Sequence, residues 1–192
     1  MTAPTLQTAR LSLRQWRRED LLPYAALNAD PLVMEHYPQV LSREESDASA
    51  ARISAALSAE RFGLWAVEIP GVCPFIGYVG LAEPRFAAPF TPCVEIGWRL
   101  AREHWGCGYA TEAAAAVCDY GFGSLGLRQL VSFTTPANWR SRRVMENLGM
   151  RRDAREDFDH PHLAPGHPLR RHVLYRLSAA EWTRMRSAPR PA

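Results

Sequence analysis

The sequence contains no lysine, because all 23 of its basic residues are arginine. This absence excludes a phosphate-binding loop of the Walker type, since that motif requires lysine followed by serine or threonine. With 20 acidic residues, the formal net charge is only +3. A charge this small does not by itself indicate nucleic-acid binding, and we expect no nucleic-acid partner.

Other absences concern cysteine pairs and long apolar runs. The four cysteines have no C-x-x-C spacing, which indicates free thiols in a reducing cytosol. The sequence begins without a charged-then-apolar signal pattern, and no apolar run approaches the roughly 20 residues needed to span a bilayer. We therefore expect a cytoplasmic protein with no membrane partner.

The length predicts one domain. A chain of 192 residues with 47% apolar residues can bury a substantial core. We place a single domain over residues 1–186 and expect residues 187–192 to be a disordered tail. No internal repeat or low-complexity segment is present.

The most informative stretch covers residues 93–126. It begins with the alternation of a strand, in which Val94, Ile96, Trp98 and Leu100 lie on one face and Glu95, Gly97 and Arg99 on the other. A short polar loop leads to the turn at residues 106–111, and an alanine-rich run without proline then predicts a helix.

The turn carries two closely spaced glycines, Gly106 and Gly108, between the strand and the helix. Such a turn exposes backbone N–H groups, and the helix start adds partial positive charge, so the pattern predicts a phosphate or pyrophosphate site. A dinucleotide fingerprint would need glycine at Thr111, so that match is incomplete. A tight turn whose glycines serve geometry alone remains an open alternative.

The remaining elements follow from local patterns. Asp20 can cap a short helix ending near Asp30, and the S-x-x-E box at Ser42 opens a helix reaching about Arg61. The other predicted elements are strands at 10–16, 64–69, 75–81, 129–134, 151–154 and 172–177, a loop at 83–92, and a helix at 138–148.

Two motifs together resemble a known family. WGCGYATEA at 105–113 and NWRSRRVMENLGM at 138–150 resemble the acetyl-CoA-binding core of the GNAT N-acetyltransferases. LQTARLSLR at 6–14 resembles the first strand of the branch that includes the ribosomal-protein N-terminal acetyltransferases. The resemblance extends over residues 6–177. It implies an α/β (α+β) fold with a single mixed, mostly antiparallel, twisted sheet of about seven strands, splayed in the middle and flanked by about four helices.

The resemblance also implies acetyl-CoA as cosubstrate, no metal, and an N-acetyltransferase that acts on a primary amine by direct attack in a ternary complex. The pantetheine arm would lie between the strands of Glu95 and Phe133. The residues that would contact the cofactor are Trp98, Arg99, Leu100, Arg102, Trp105, Gly106, Cys107, Gly108, Tyr109, Ala110, Thr111, Asn138, Ser141 and Arg143. Glu103 replaces a glutamine or arginine of the family motif, and we expect it to point away from the phosphates.

The reaction needs a proton acceptor and a group that assists the leaving thiolate. Glu95 is the candidate base, and its alternative is an ion pair with Arg99 on the same strand face. Many family members carry a tyrosine at the position of Met145. Methionine cannot donate a proton, so Ser141 is the candidate donor to the thiolate, and helix capping is its alternative.

The polar segment 155–171 allows several interpretations. Its histidines and aspartates could hold a metal ion, although H-x-H without further ligand spacing is a weak signal. Its carboxylates could instead attract a cationic amine, or it could be a solvated loop. The amine acceptor, a small molecule or a protein N-terminus, is not fixed by the sequence, and neither is the choice between monomer and homodimer. A regulator that binds acyl-CoA without transferring it and a nucleotide-binding module are the alternative functions.

Overall fold

The computed structural model describes residues 2–187. Within them the chain forms two compact units, one comprising residues 2–82 and Ile96–Val117 and the other Glu83–Glu95 and residues 118–187. The prediction of one domain over 1–186 stays a prediction. Residues 188–192 of the predicted tail lie outside the described residues, while Ser187 ends a helix.

The first unit is built on strands β1 to β4 and on all but the first residue of β5, and these strands are neighbours in sequence order. They are β1 (Leu6–Gln7), β2 (Ser12–Arg14), β3 (Leu64–Ile69), β4 (Cys73–Ala82) and β5 (Glu95–Leu100). β1 to β4 pair in antiparallel fashion. Gly77 allows a close approach of β4 to β5, because a Cβ there would lie 2.1 Å from the carbonyl oxygen of Arg99.

Helices α1 (Leu21–Ala29) and α2 (Arg43–Ala59) also belong to this unit. The predicted capping box is confirmed, since Ser42 Oγ accepts from the Glu45 backbone N–H at 3.1 Å. Asp20 stands at the N-cap position of α1 but makes no side-chain cap bond. Its carboxylate instead binds the buried Arg14 guanidinium, so the prediction of Asp20 as a cap was wrong.

The second unit contains β6 (Gln129–Thr134), which pairs in antiparallel fashion with β9 (Arg171–Ser178). The short strands β7 (Arg151–Arg152) and β8 (Phe158–Asp159) also pair with β9. The first residue of β5, Glu95, pairs in parallel with Val131 of β6. Helix α3 (Tyr109–Asp119) begins in the first unit, whereas α4 (Trp139–Asn147) and α5 (Ala179–Ser187) lie in the second.

The predicted α/β class with mostly antiparallel strands is confirmed. The described residues contain nine strands rather than about seven, because three of them have only two residues. The fifth helix, α5, was missed. Its start carries a local signal, since Ser178 and Glu181 form reciprocal S-x-x-E hydrogen bonds.

Candidate active site

The glycine turn has the open geometry that a phosphate site requires. Gly106 and Gly108 have φ values of +75° and +80°, and α3 starts at Tyr109. A Cβ added at Gly106 would meet no heavy atom within 4 Å, and one at Gly108 would meet only Arg10 Nη2 at 3.5 Å. The space above the turn is therefore free for a ligand, beside the N–H groups of the first helical turn.

Glu112 fixes the start of α3, a role the sequence did not indicate. Its carboxylate accepts from Thr8 Oγ1 at 2.6 Å, from the Arg10 backbone N–H at 2.9 Å and from Arg10 Nε at 2.7 Å. Partial burial opposes ionisation, but these bonds hold the pKa of Glu112 below its usual range. The Arg10 guanidinium also lies 4.6 Å from the centre of the Tyr109 ring. Because the partners are more than 100 residues apart, no local pattern could have revealed them.

The structure divides the predicted site residues between the two units. Those from Trp98 to Thr111 belong to the first unit, and Glu95, Asn138, Ser141 and Arg143 belong to the second. Around the turn, Trp105 Nε1 donates to the Leu100 carbonyl at 2.8 Å. The residues of this set exposed to solvent are Arg102, Gly106, Cys107, Gly108 and Arg143.

Glu95 is a half-buried carboxyl at the start of β5, and its burial raises its pKa to about 8. It is therefore mostly protonated at pH 7. Arg99, its alternative partner, is engaged within the first unit, where its Nη1 donates to Asn28 Oδ1 at 2.6 Å. Its guanidinium also lies 3.8 Å from the centre of the Tyr37 ring. These contacts favour the interpretation of Glu95 as a base over that of an Arg99 partner.

Asn138 caps α4. Its Oδ1 accepts from the Ser141 backbone N–H at 3.1 Å, and its Nδ2 donates to Thr134 Oγ1 at 2.9 Å. The alternative in which the Ser141 hydroxyl caps the helix is therefore wrong. Ser141 is half-buried in the first turn, and Met145, one turn later, is buried in the core.

The carboxylates of the segment after β7 are engaged with arginines of the same unit. The pairs are Arg155 with Asp153, Arg152 with Asp157, Arg170 and Arg171 with Asp159, and Arg176 with Glu156. Their charges are neutralised internally. This pairing weakens their attraction for a cationic amine, and the interpretation in which they bind one stays a prediction.

The histidines of this segment pack with aromatic rings. The His160 ring centre lies 4.8 Å from that of Phe86 and 5.1 Å from that of His172. Burial, together with His172 and His162, lowers the pKa of His160 to about 4. In the part of the chain that the structure describes, no group of three His, Cys, Asp or Glu residues could hold a metal ion. None of the helices in residues 2–187 is long and apolar enough to cross a bilayer.

Comparison with known proteins agrees with the fold. Residues 10–151 match the acetyltransferase (GNAT) domain family. The FsC-acetyl coenzyme A-N(2)-transacetylase of Aspergillus fumigatus is 32% identical over 190 residues, covering 95% of this chain and 79% of that protein.

Solved structures also resemble this one. A GNAT-family acetyltransferase from Bacillus anthracis has a TM-score of 0.76 at 24% identity, covering 93% of this chain and 100% of that one. RimJ of Mycobacterium smegmatis, solved with CoA-disulfide, has a TM-score of 0.72 at 20% identity, covering 94% and 91%. At such identities the likeness concerns the fold alone.

The fold is that of an acyltransferase. The chain belongs to the GNAT acetyltransferase family, because the family match covers most of its length. The family resemblance drawn from the two sequence motifs is confirmed.

Proposed function

We propose that this protein transfers the acetyl group of acetyl-CoA to the nitrogen of a primary amine by direct attack within a ternary complex. The observation that carries the proposal is the open glycine turn at Gly106 and Gly108 before α3, in a chain of the GNAT family. Acetyl-CoA supplies an acetyl thioester, whose carbonyl carbon the neutral amine attacks while the CoA sulfur leaves and takes up a proton.

The turn and its surroundings fit the phosphates of CoA. Backbone N–H groups at residues 106–111 would bind the pyrophosphate, and the exposed guanidinium group of Arg102, which lies in the same unit, can add positive charge. The backbone of Trp98, Arg99 and Leu100 would pair with the pantetheine arm. The open space at the two glycines supports this assignment.

Glu95 would take the proton from the attacking amine. Its pKa of about 8 lies close to that of an α-amine, about 8, and well below that of a lysine-type amine, about 10.4. Near pH 8, where about half of Glu95 is ionised, about half of an α-amine is also neutral, whereas only about 0.4% of a lysine-type amine is neutral. The raised pKa thus favours acceptors with weakly basic amines.

Ser141 would donate a hydrogen bond to the departing sulfur. Because Asn138 already caps α4, the Ser141 hydroxyl is not needed for that purpose. A serine hydroxyl is a weak acid, so its contribution is a hydrogen bond rather than full protonation.

Initial-rate measurements with acetyl-CoA and a panel of amines test the proposal, with released CoA thiol detected colorimetrically. We expect amine-dependent thiol release, and double-reciprocal plots that intersect, as direct transfer in a ternary complex requires. Parallel plots would instead indicate an acetylated enzyme. CoA binding by calorimetry without thiol release from any amine would support the alternative function of an acyl-CoA-binding regulator.

A further inference from the structure

The first unit contains a cavity of about 540 Å³, a size typical of small-molecule sites. It lies beside α1 and α2, and its walls are mostly aromatic and aliphatic, among them Tyr24, Tyr37, Tyr78, Met34, Leu41 and Ile53. Tyr24 is held in place by Trp16, whose ring centre lies 5.0 Å away. The cavity is thus mostly apolar on this side.

Arg99 is the charged residue in the wall of this cavity. Besides the bond to Asn28, its guanidinium lies 3.8 Å from the Tyr37 ring centre and 5.4 Å from that of Tyr78. Its Nε is buried and has no hydrogen-bond partner among the described residues. No Asp or Glu of residues 2–187 forms an ion pair with it.

The buried Nε–H group of this half-buried cation is costly to leave unpaired, and an anionic ligand would provide the missing partner. A carboxylate is the natural partner, because its two oxygens can accept parallel N–H bonds from the planar guanidinium. A cationic ligand would meet like charge.

We propose that the cavity binds the amine acceptor and that Arg99 binds a carboxylate of that acceptor. The acceptor is then an amine that carries both a carboxylate and an apolar body, such as an apolar amino acid or short peptide, rather than a polyamine. This inference rests on the proposed function. In the transfer the amine nitrogen gains the acetyl group and loses a proton, CoA leaves as the thiol, and the carboxylate is unchanged.

Matched acceptors that differ only in the carboxylate provide the first test. The pairs are phenylalanine with phenethylamine, leucine with isopentylamine, and the dipeptide leucyl-phenylalanine with its C-terminal amide, and spermidine is the polyamine probe. We expect kcat/KM, expressed per neutral amine, to be about 10- to 100-fold higher for the acceptor that carries the carboxylate than for its partner. Hydrogen bonds between charged groups contribute factors of about this size. Equal values within every pair, or a preference for spermidine, would overturn the proposal.

The variant Arg99→Met removes the charge while keeping an unbranched apolar chain. We expect the ratio within each pair to fall to about one, and Arg99→Lys to restore part of it. Arg102→Met, at the exposed arginine beside the glycine turn, is the matched control, and it should weaken CoA binding without changing the ratio. A carboxylate preference that survives Arg99→Met would refute the role of Arg99.

A third measurement needs no variant and no catalysis. The carboxylate 3-phenylpropanoate lacks the amine, so it should bind to the wild-type protein saturated with CoA, measured by calorimetry, and compete with the amine acceptor. Absence of both effects would overturn the proposal. If no amine released thiol, the proposed function would fail, whereas binding of 3-phenylpropanoate that depends on Arg99 would still establish the carboxylate site.

Discussion

Two arginines of the first unit, the buried Arg14 and the half-buried Arg99, have opposite surroundings. Arg14 on β2, only 5% exposed, forms ion pairs with Asp20 and Glu68 and also donates to the Pro74 carbonyl. Arg99 on β5 has the Asn28 amide and two tyrosine rings but, in the described part of the chain, no carboxylate. The fold thus supplies the counter-ions of Arg14, whereas we propose that a ligand supplies that of Arg99. The predictions below compare further residues in the same way, each pairing a residue of the candidate site with one whose role is structural.

The largest effect is expected on the free energy of unfolding when each of the two arginines is replaced by methionine. Arg14→Met should lower the free energy of unfolding by about 3 to 5 kcal/mol, because it leaves Asp20 buried without its partner. Arg99→Met should change it by less than about 1 kcal/mol, since the loss of the Asn28 bond is offset by removal of an uncompensated charge. Urea unfolding of both variants measures the difference. Equal losses would mean that Arg99 is a structural residue like Arg14.

The glycines give a second matched pair. Gly108→Trp should weaken CoA binding at least about 100-fold in calorimetry, since removing several phosphate contacts costs more than about 3 kcal/mol. Gly166→Trp is the control, because Gly166 has a similar φ of +84° and open space around it, so both variants carry similar backbone strain. Unchanged CoA affinity in a folded Gly108→Trp protein would refute the phosphate assignment.

Two glutamates form a third pair, one with partners in the fold and one without. Thr8 and Arg10 hold Glu112 ionised, whereas burial keeps Glu95 protonated. Glu95→Gln should lower kcat/KM about 100-fold at pH 9, within the range for general base catalysis. Below pH 8 the wild-type logarithmic pH profile should approach a slope of two, because both the amine and Glu95 must lose a proton. The variant should show a slope of one. A parallel profile in the variant would exclude Glu95 as the base.

Stability gives an independent readout of the same carboxyl. Because the pKa of Glu95 is raised in the folded protein, that protein holds a proton which the unfolded chain releases above pH 4.5. Wild-type stability should therefore fall as the pH rises from about 4.5 to about 8, and Glu95→Gln should remove this part of the fall. Glu112→Gln, the control, should lower stability at neutral pH and leave the slope of the kinetic profile unchanged.

The smallest effect is expected in the first turn of α4. Ser141→Ala should lower kcat about tenfold with little change in stability, because a single hydrogen bond is lost only in the transition state. Asn138→Ala should lower the free energy of unfolding by about 1 kcal/mol, as loss of an N-cap does. A Ser141→Ala enzyme with wild-type turnover would leave this serine without a catalytic role.

Much of the fold was predictable because its signals are local. The predicted strands 64–69 and 129–134 agree with β3 and β6, and the capping box at Ser42 opens α2 as expected. The predicted strand 151–154 shortens to Arg151–Arg152, since a 3-10 turn starts at Ala154. In the candidate site, the glycine turn and the Asn138 cap could be predicted from residue type and position. The cavity whose wall contains Arg99 could not.

By itself the sequence determined the order of elements, the glycine turn and, through two short motifs, the family. Each of these depends on neighbours within a few residues, so the residue types fix them directly. Tertiary structure alone decided the partners of the charged groups. The hydrogen-bonded partners are far apart in the sequence: Arg14 and Glu68 are separated by 54 positions, Arg99 and Asn28 by 71, and Thr8 and Glu112 by 104. Packing of distant segments sets both these contacts and the burial that raises the pKa of Glu95.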